Sequence, residues 1–137
     1  VATARDIMTT APRCVNENQT LIEAARMLAD LDVGSLPICG EDQRLKGMLT
    51  DRDIVVKCLA QGGDPATTRA GDLAEGKPVT IGADDTLEEA MATMQEHQVR
   101  RLPVIDGHDL VGIISQADIA RAVNASDTGE TVEAISE

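Results

Sequence analysis

The chain has 137 residues and a formal charge of −12, enough length for one ordinary domain or for two half-domains that share a core. It contains no Phe, Tyr or Trp, so no base can stack on an aromatic face, and its acidic balance opposes contact with a phosphate backbone; nucleic-acid partners are disfavoured on both counts. No apolar run approaches the ~20 residues of a membrane-spanning helix, and the polar N-terminal stretch lacks a signal-peptide apolar region, so a cytoplasmic protein without a membrane partner is expected.

In chain order, a short helix is expected at residues 3–8 and a brief strand at 13–16. Thr20-Leu21-Ile22-Glu23 reads as a capping box, threonine at the N-cap and glutamate three residues on. The helix it starts carries Leu21, Ala24, Ala25, Leu28 and Leu31 at helical spacing. A strand at 35–39, a turn at 40–44 and a strand at 45–50 form a hairpin, and a helix follows at 51–60. Gln61-Gly62-Gly63-Asp64-Pro65 is the clearest break in the chain. A second series then begins: a short helix holding Asp72 and Leu73, a strand at 79–81 and a capping box at Thr86-Leu87-Glu88-Glu89. Its helix runs to His97, with strands at 101–105 and 110–115 and a last helix at 116–123. Residues 124–137 are polar and acidic and are expected to form a mobile tail, with Val132 and Ile135 available to dock on a partner.

The two series are copies of each other. Ala4 and Asp6 align with Ala70 and Asp72, Thr20 with Thr86, and Val33 to Ile38 with Val99 to Val104. After a one-residue deletion, Leu45 to Ile54 aligns with Leu110 to Ile119. A period of about 65 residues exceeds those of the common solenoid repeats. It implies two copies of one β-α-β-β-α unit: repeat 1 at 1–61, a linker at 62–67 and repeat 2 at 68–123. The helix-linked strands of each can lie parallel, and the hairpin adds an antiparallel neighbour.

The chemically informative positions lie where the third strand of each repeat passes into a helix. Gly47-Met48-Leu49-Thr50-Asp51-Arg52-Asp53 aligns with Gly112-Ile113-Ile114-Ser115-Gln116-Ala117-Asp118. A hydroxyl and free N–H groups at a helix start suit a phosphate, and an aspartate one turn on can accept both hydrogen bonds of a ribose diol. The same Ser/Thr-x-x-Asp pattern is equally an ordinary capping pair. Both readings stand at this stage.

The whole pattern resembles a tandem pair of CBS domains, a Bateman module. The resemblance rests on Asp6-Ile7-Met8, Gly34-Ser35-Leu36-Pro37-Ile38, Arg100-Arg101-Leu102-Pro103-Val104 and the two glycine-to-aspartate segments. Arg5 to Met8, Leu36 to Gly40, Gly47 to Ile54 and Glu96 to Arg101 bring it nearer to stand-alone actinobacterial pairs of the hypoxic-response type. The resemblance implies an α/β (α+β) fold with two pseudo-symmetric repeats packed sheet against sheet as one module, a homodimer, and a regulatory role. It implies no required cofactor but an adenosyl ligand (AMP, ADP, ATP or S-adenosylmethionine) held between the repeats, with output through another, unidentified protein. At the first site Thr50 and Asp53 would take phosphate and ribose, Ser35 would stand beside them, and Val15, Leu36 and Pro37 would flank the adenine. At the second, Ser115 and Asp118 take the polar roles, and Ile81, Leu102 and Pro103 flank. Arg100 and Arg101, which repeat 1 replaces with Gly34 and Ser35, favour the second site for an anion. Pairing of these arginines with surface carboxylates is the competing reading.

Three cysteines show no metal-type spacing, and no metal site is expected. On the strands that this fold places side by side, Cys14 and Cys39 would be near enough for a disulfide; two reduced thiols are the alternative in a cytosolic setting. Cys58 shares a helix face with Ile54 and is expected to pack. His97 and His108 have no nucleophile or metal partner, and no P-loop, H-E-x-x-H or nucleophile elbow is present, so no catalysis is expected. The rival to a nucleotide sensor is a ligand-free, stress-related interaction scaffold, redox-sensitive through Cys14 and Cys39.

Overall fold

The computed structural model describes the backbone of residues 1–135 and the side chains of residues 1–125. Its elements are α1 (Ala4–Ile7), β1 (Thr9–Thr10), β2 (Val15–Asn16), α2 (Leu21–Leu31), β3 (Ser35–Cys39), β4 (Leu45–Thr50) and α3 (Asp51–Asp53), then β5 (Ile81–Gly82), α4 (Leu87–His97), β6 (Arg101–Asp106), β7 (Asp109–Ser115) and α5 (Gln116–Ile135). The β-α-β-β-α order is therefore present twice. The threonine half of each expected capping box starts its helix: Thr20 Oγ1 accepts the Glu23 N–H at 3.2 Å and Thr86 Oγ1 that of Glu89 at 3.1 Å. Each helix ends on a left-handed residue, Asp32 (φ 54°) and Gln98 (φ 55°).

Two sheets result, in the orders β2-β3-β4 and β1-β7-β6-β5. β2 pairs parallel with β3 (Val15 with Ile38), β5 parallel with β6 (Ile81 with Val104), and β3 antiparallel with β4 (Leu36 with Leu49). Pro37 and Pro103 lie inside β3 and β6, where a missing N–H would normally break a ladder. They are tolerated because β2 and β5 are only two residues long and pair beyond them, at Ile38–Cys39 and Val104–Ile105. Two apolar clusters form. Val15, Leu21, Ala24, Leu28, Leu36, Ile38, Leu49, Ile54 and Cys58 build one. Ala4, Ile81, Ala90, Met94, Leu102, Val104, Ile114 and Ile119 build the other. With no aromatics available, Leu, Ile and Val supply the volume, each fully buried side chain contributing about 1.5–3 kcal/mol.

Three features differ from the sequence reading. The helix at 51–60 is irregular: α3 gives way to a π turn at Ile54–Cys58 and a 3₁₀ turn at Leu59–Gln61. That widened turn carries both Ile54 (8% exposed) and Cys58 (2%) into the core, as expected of their shared face. The last helix continues to Ile135 rather than ending at 123; docking of Val132 and Ile135 concerns side chains outside the described residues. Finally β1, a strand of two threonines, pairs antiparallel with β7 (Thr9 with Ile113).

The chain also divides into two compact units along lines other than the repeats. One unit comprises Val1–Ala11, Val79–Gly107 and the chain from Val111; the other comprises Pro12–Pro78 with His108–Leu110. Each repeat thus sends its opening segment to the unit built around the other.

Candidate functional site

Each strand-to-helix junction closes on itself. In repeat 1, Thr50 Oγ1 accepts the Asp53 N–H at 3.0 Å, and Asp53 Oδ2 accepts the Thr50 N–H at 3.0 Å. In repeat 2, Ser115 Oγ accepts the Asp118 N–H at 3.0 Å, and Asp118 Oδ2 accepts the Ser115 N–H at 2.9 Å. The capping reading is therefore realised in both. It uses one carboxylate oxygen of each aspartate and leaves the other for further work. Asp53 Oδ1 lies 3.4 Å from Lys57 Nζ, and Asp118 Oδ1 pairs with Arg121 Nη2. The aspartate side chains keep 21% and 15% exposure, so solvent or a ligand reaches them.

The residues before the Leu-Pro strands join these junctions through the backbone. The Gly34 carbonyl accepts the Asp51 N–H at 3.0 Å, and the Arg100 carbonyl accepts the Gln116 N–H at 2.8 Å. Ser35 faces Thr50 across the β3–β4 ladder. The structure thus brings Ser35, Thr50 and Asp53 together in one repeat, and sets the Arg100 backbone beside Ser115 and Asp118 in the other. Arg100 and Arg101 are both exposed.

The apolar residues expected to flank a ring serve the cores. Val15 is 0% exposed, Leu36 3%, Ile81 5% and Leu102 1%, and Pro37 and Pro103 are buried as well.

Lys57 and Arg121 were not singled out by the sequence. The signal was present as a cation four residues after Asp53 and three after Asp118, the spacing of helix-face ion pairs. The two differ in a third partner. Lys57 Nζ also reaches Glu75 Oε1 at 3.3 Å. Burial alone would lower the Lys57 pKa, but its hydrogen bonds and ion pairs with Glu75 and Asp53 outweigh that and raise it.

Cys14 and Cys39 are free thiols that influence each other's ionisation. Their mutual interaction favours thiolate at Cys14, lowering its pKa, and disfavours it at Cys39, raising its pKa, with burial adding to the rise at Cys39. Cys58 is also free and buried. His97 and His108 are exposed, at the end of α4 and in the β6–β7 turn. Among the described residues, no group of three or more His, Cys, Asp and Glu side chains is placed to hold a metal ion, and no helix is long and apolar enough to cross a membrane.

Two paired junctions, each ending a β-α-β-β-α repeat, define a class of protein, and comparison identifies the family. The CBS domain model matches residues 4–59 and again 70–125. The chain belongs to the CBS-domain family, as a tandem pair of the regulatory kind. Hypoxic response protein 1 of Mycobacterium tuberculosis is 50% identical over 135 residues, spanning 98% of this chain and 94% of that protein. A crystal structure of Hypoxic Response Protein I with two coordinated zinc ions is 54% identical with a TM-score of 0.84, covering 88% of this chain and 98% of that one. A crystal structure of CBSX2 in complex with AMP is 25% identical with a TM-score of 0.81, covering 93% and 99%.

Proposed function

We propose that the protein senses an adenosine-containing ligand, AMP or a relative such as ADP, ATP or S-adenosylmethionine, and passes the signal to a partner protein without catalysing a reaction. The observation that carries this reading is the divided use of Asp53 and Asp118. One oxygen closes the cap, while the other, on a partly exposed side chain, meets a cationic side chain, Lys57 or Arg121. A ribose diol donating to that second oxygen would displace the lysine or arginine, which then becomes available to a phosphate. The AMP complex of CBSX2 supports the ligand class. Arg100 and Arg101 make the second repeat the stronger anion site. Val15, Leu36 and Pro37, or Ile81, Leu102 and Pro103, would wall the adenine. Because these side chains are packed in the cores, seating a purine requires the core edge to open, which lowers affinity. We place the protein in the cytoplasm as a homodimer. The exposed face of Val55 (55%), Val56 (40%) and Leu59 (51%) on the irregular helix supplies the apolar surface for dimerisation.

Thermal unfolding followed by circular dichroism, with each adenosyl compound in turn, tests the proposal. A ligand at 100 times its dissociation constant adds about 2.7 kcal/mol, a rise of several degrees. A midpoint unmoved by every compound at millimolar concentration rejects it. The Cys14–Cys39 interaction favours a second reading, a ligand-free scaffold in which an oxidant removes two electrons and two protons to form a disulfide between those sulfurs. That reading requires a large difference in melting temperature between reduced and oxidised protein and none with nucleotide.

A further inference from the structure

The two junctions share a hydroxyl and an aspartate, but the residues around them differ in charge. In the second repeat Arg100 and Arg101 precede the Leu-Pro strand, and Arg121 pairs with Asp118 and no other carboxylate among the described residues. In the first, Gly34 and Ser35 stand at the two arginine positions. The Asp51 carboxylate lies beside Gly34, its Oδ2 3.6 Å from the place where a Cβ would project. A carboxylate thus stands where, at the aligned position of the second repeat, an arginine side chain begins. The counterpart of Asp51 there is the neutral Gln116.

Glu75 makes a further exchange. Ala4 aligns with Ala70 and Pro12 with Pro78, which sets Thr9 against Glu75. Thr9 is uncharged and pairs with Ile113, two residues ahead of Ser115. Glu75 instead puts Oε1 3.3 Å from Lys57 Nζ, and Lys57 is the cation of Asp53. The segments of the first junction therefore set three carboxylates (Asp51, Asp53, Glu75) against two cations (Arg52, Lys57). Those of the second set three arginines (Arg100, Arg101, Arg121) against one carboxylate (Asp118).

A phosphate monoester brings about two negative charges at neutral pH. At the first junction it would have to draw Lys57 from Glu75, whose charge stays, and it would face Asp51 as well. An adenine nucleoside without phosphate meets no such penalty. Its ribose diol needs only the Asp53 oxygen that Lys57 now meets, and the displaced Lys57 keeps Glu75 as its partner.

We propose that the two junctions divide adenosine ligands by charge: the first takes an adenine nucleoside bearing no anionic group, the second takes a phosphorylated one, and Glu75 bars phosphate from the first. This rests on the adenosine-sensing reading above and extends it to two different ligands held at once.

Adenosine and AMP differ only in the phosphate, so equilibrium dialysis of the full chain with radiolabelled adenosine and unlabelled AMP tests the division. With AMP saturating the second junction, one equivalent of adenosine per chain is expected to stay bound. Asp53→Asn, shown to be folded by circular dichroism, is expected to abolish that uptake. Glu75→Gln alters a side chain that is 75% exposed and removes the charge that competes for Lys57. One contact-range charge pair in a solvent-like dielectric amounts to about fivefold in affinity. AMP should therefore displace the first-junction adenosine about fivefold more readily from Glu75→Gln, and this variant decides if Asp53→Asn does not fold. The division is overturned, with the sensor reading intact, if AMP binds while adenosine is not taken up or is wholly displaced as the second junction fills. Adenosine persisting in folded Asp53→Asn, or displacement unchanged in Glu75→Gln, overturns it too. Uptake of neither compound at millimolar concentration removes the sensor reading itself, and the division with it.

Discussion

Asp118→Asn separates the two jobs of the second junction. The asparagine side chain keeps an acceptor for the Ser115 N–H, which Asp118 Oδ2 now receives at 2.9 Å, and Ser115 Oγ still receives the N–H of residue 118. What is lost is charge. The ion pair with Arg121 goes, but the arginine side chain is 72% exposed, so the pair contributes only about 0.2–0.5 kcal/mol. The carboxylate's interaction with the first turn of α5 adds about 0.3–1 kcal/mol. The free protein should therefore lose no more than about 1.5 kcal/mol, a fall of a few degrees in Tm. Ligand binding should suffer more. Hydrogen bonds to a charged acceptor contribute about 1 kcal/mol more than those to a neutral one, so a diol making two loses about 2 kcal/mol, roughly thirtyfold in Kd. At 100 times the original Kd, stabilisation by AMP should drop from about 2.7 to about 0.9 kcal/mol. Differential scanning calorimetry of both proteins, with and without AMP, reads both quantities. An AMP-induced shift that survives in Asp118→Asn refutes the ribose role and leaves the aspartate as a helix cap alone.

Leu49 and Ile114 are each 0% exposed, one in each core, and truncation of either to alanine should cost about 2–5 kcal/mol in urea unfolding. A loss below about 1 kcal/mol at either would contradict the assignment of that core. Cys14 has a lowered thiol pKa and Cys39 a raised one, so thiolate at Cys14 is favoured in the fold above the ordinary thiol pKa, while that at Cys39 is disfavoured. As pH rises through that range, iodoacetamide should label Cys14 first, with Cys39 and Cys58 protected; peptide mass spectrometry showing Cys39 labelled first would reverse the account. Leu59→Asp places a charge on the exposed face of Val55, Val56 and Leu59. It should convert the proposed dimer to monomer in sedimentation equilibrium while the far-UV circular dichroism of the folded chain is retained, and an unchanged mass would move the dimer contact elsewhere.

Much of the fold was legible because its signals are local. Thr20 with Glu23 and Thr86 with Glu89 announce helices that form where expected, and the hairpin strands 35–39 and 45–50 carry their apolar residues inward. The repeat extended this reading, since Thr50 and Ser115 both cap. What escaped the sequence lies at longer range. Thr9 and Thr10 are too few to show a strand period, and only β7, a hundred residues on, makes them one. The crossing of the opening segments depends on carbonyls of Glu17, Gln19, Ala83 and Asp85, and backbone acceptors leave no trace in side-chain identity. The π turn at Ile54–Cys58 likewise has no composition of its own. At the site, residue types pointed to Thr50, Asp53, Ser115 and Asp118, but the burial of Val15, Leu36, Ile81 and Leu102 needed the packed structure. So did the partners of the aspartates, Lys57 and Arg121.

The central claim is that this CBS pair binds an adenosine ligand, and equilibrium dialysis against AMP tests it most directly. The chain lacks Phe, Tyr and Trp, so adenine absorbance near 260 nm reports bound ligand almost free of protein background. The account expects saturable uptake of AMP that S-adenosylmethionine or ADP competes for, weakened by Asp118→Asn. Folded protein that takes up no AMP at millimolar concentration would contradict it.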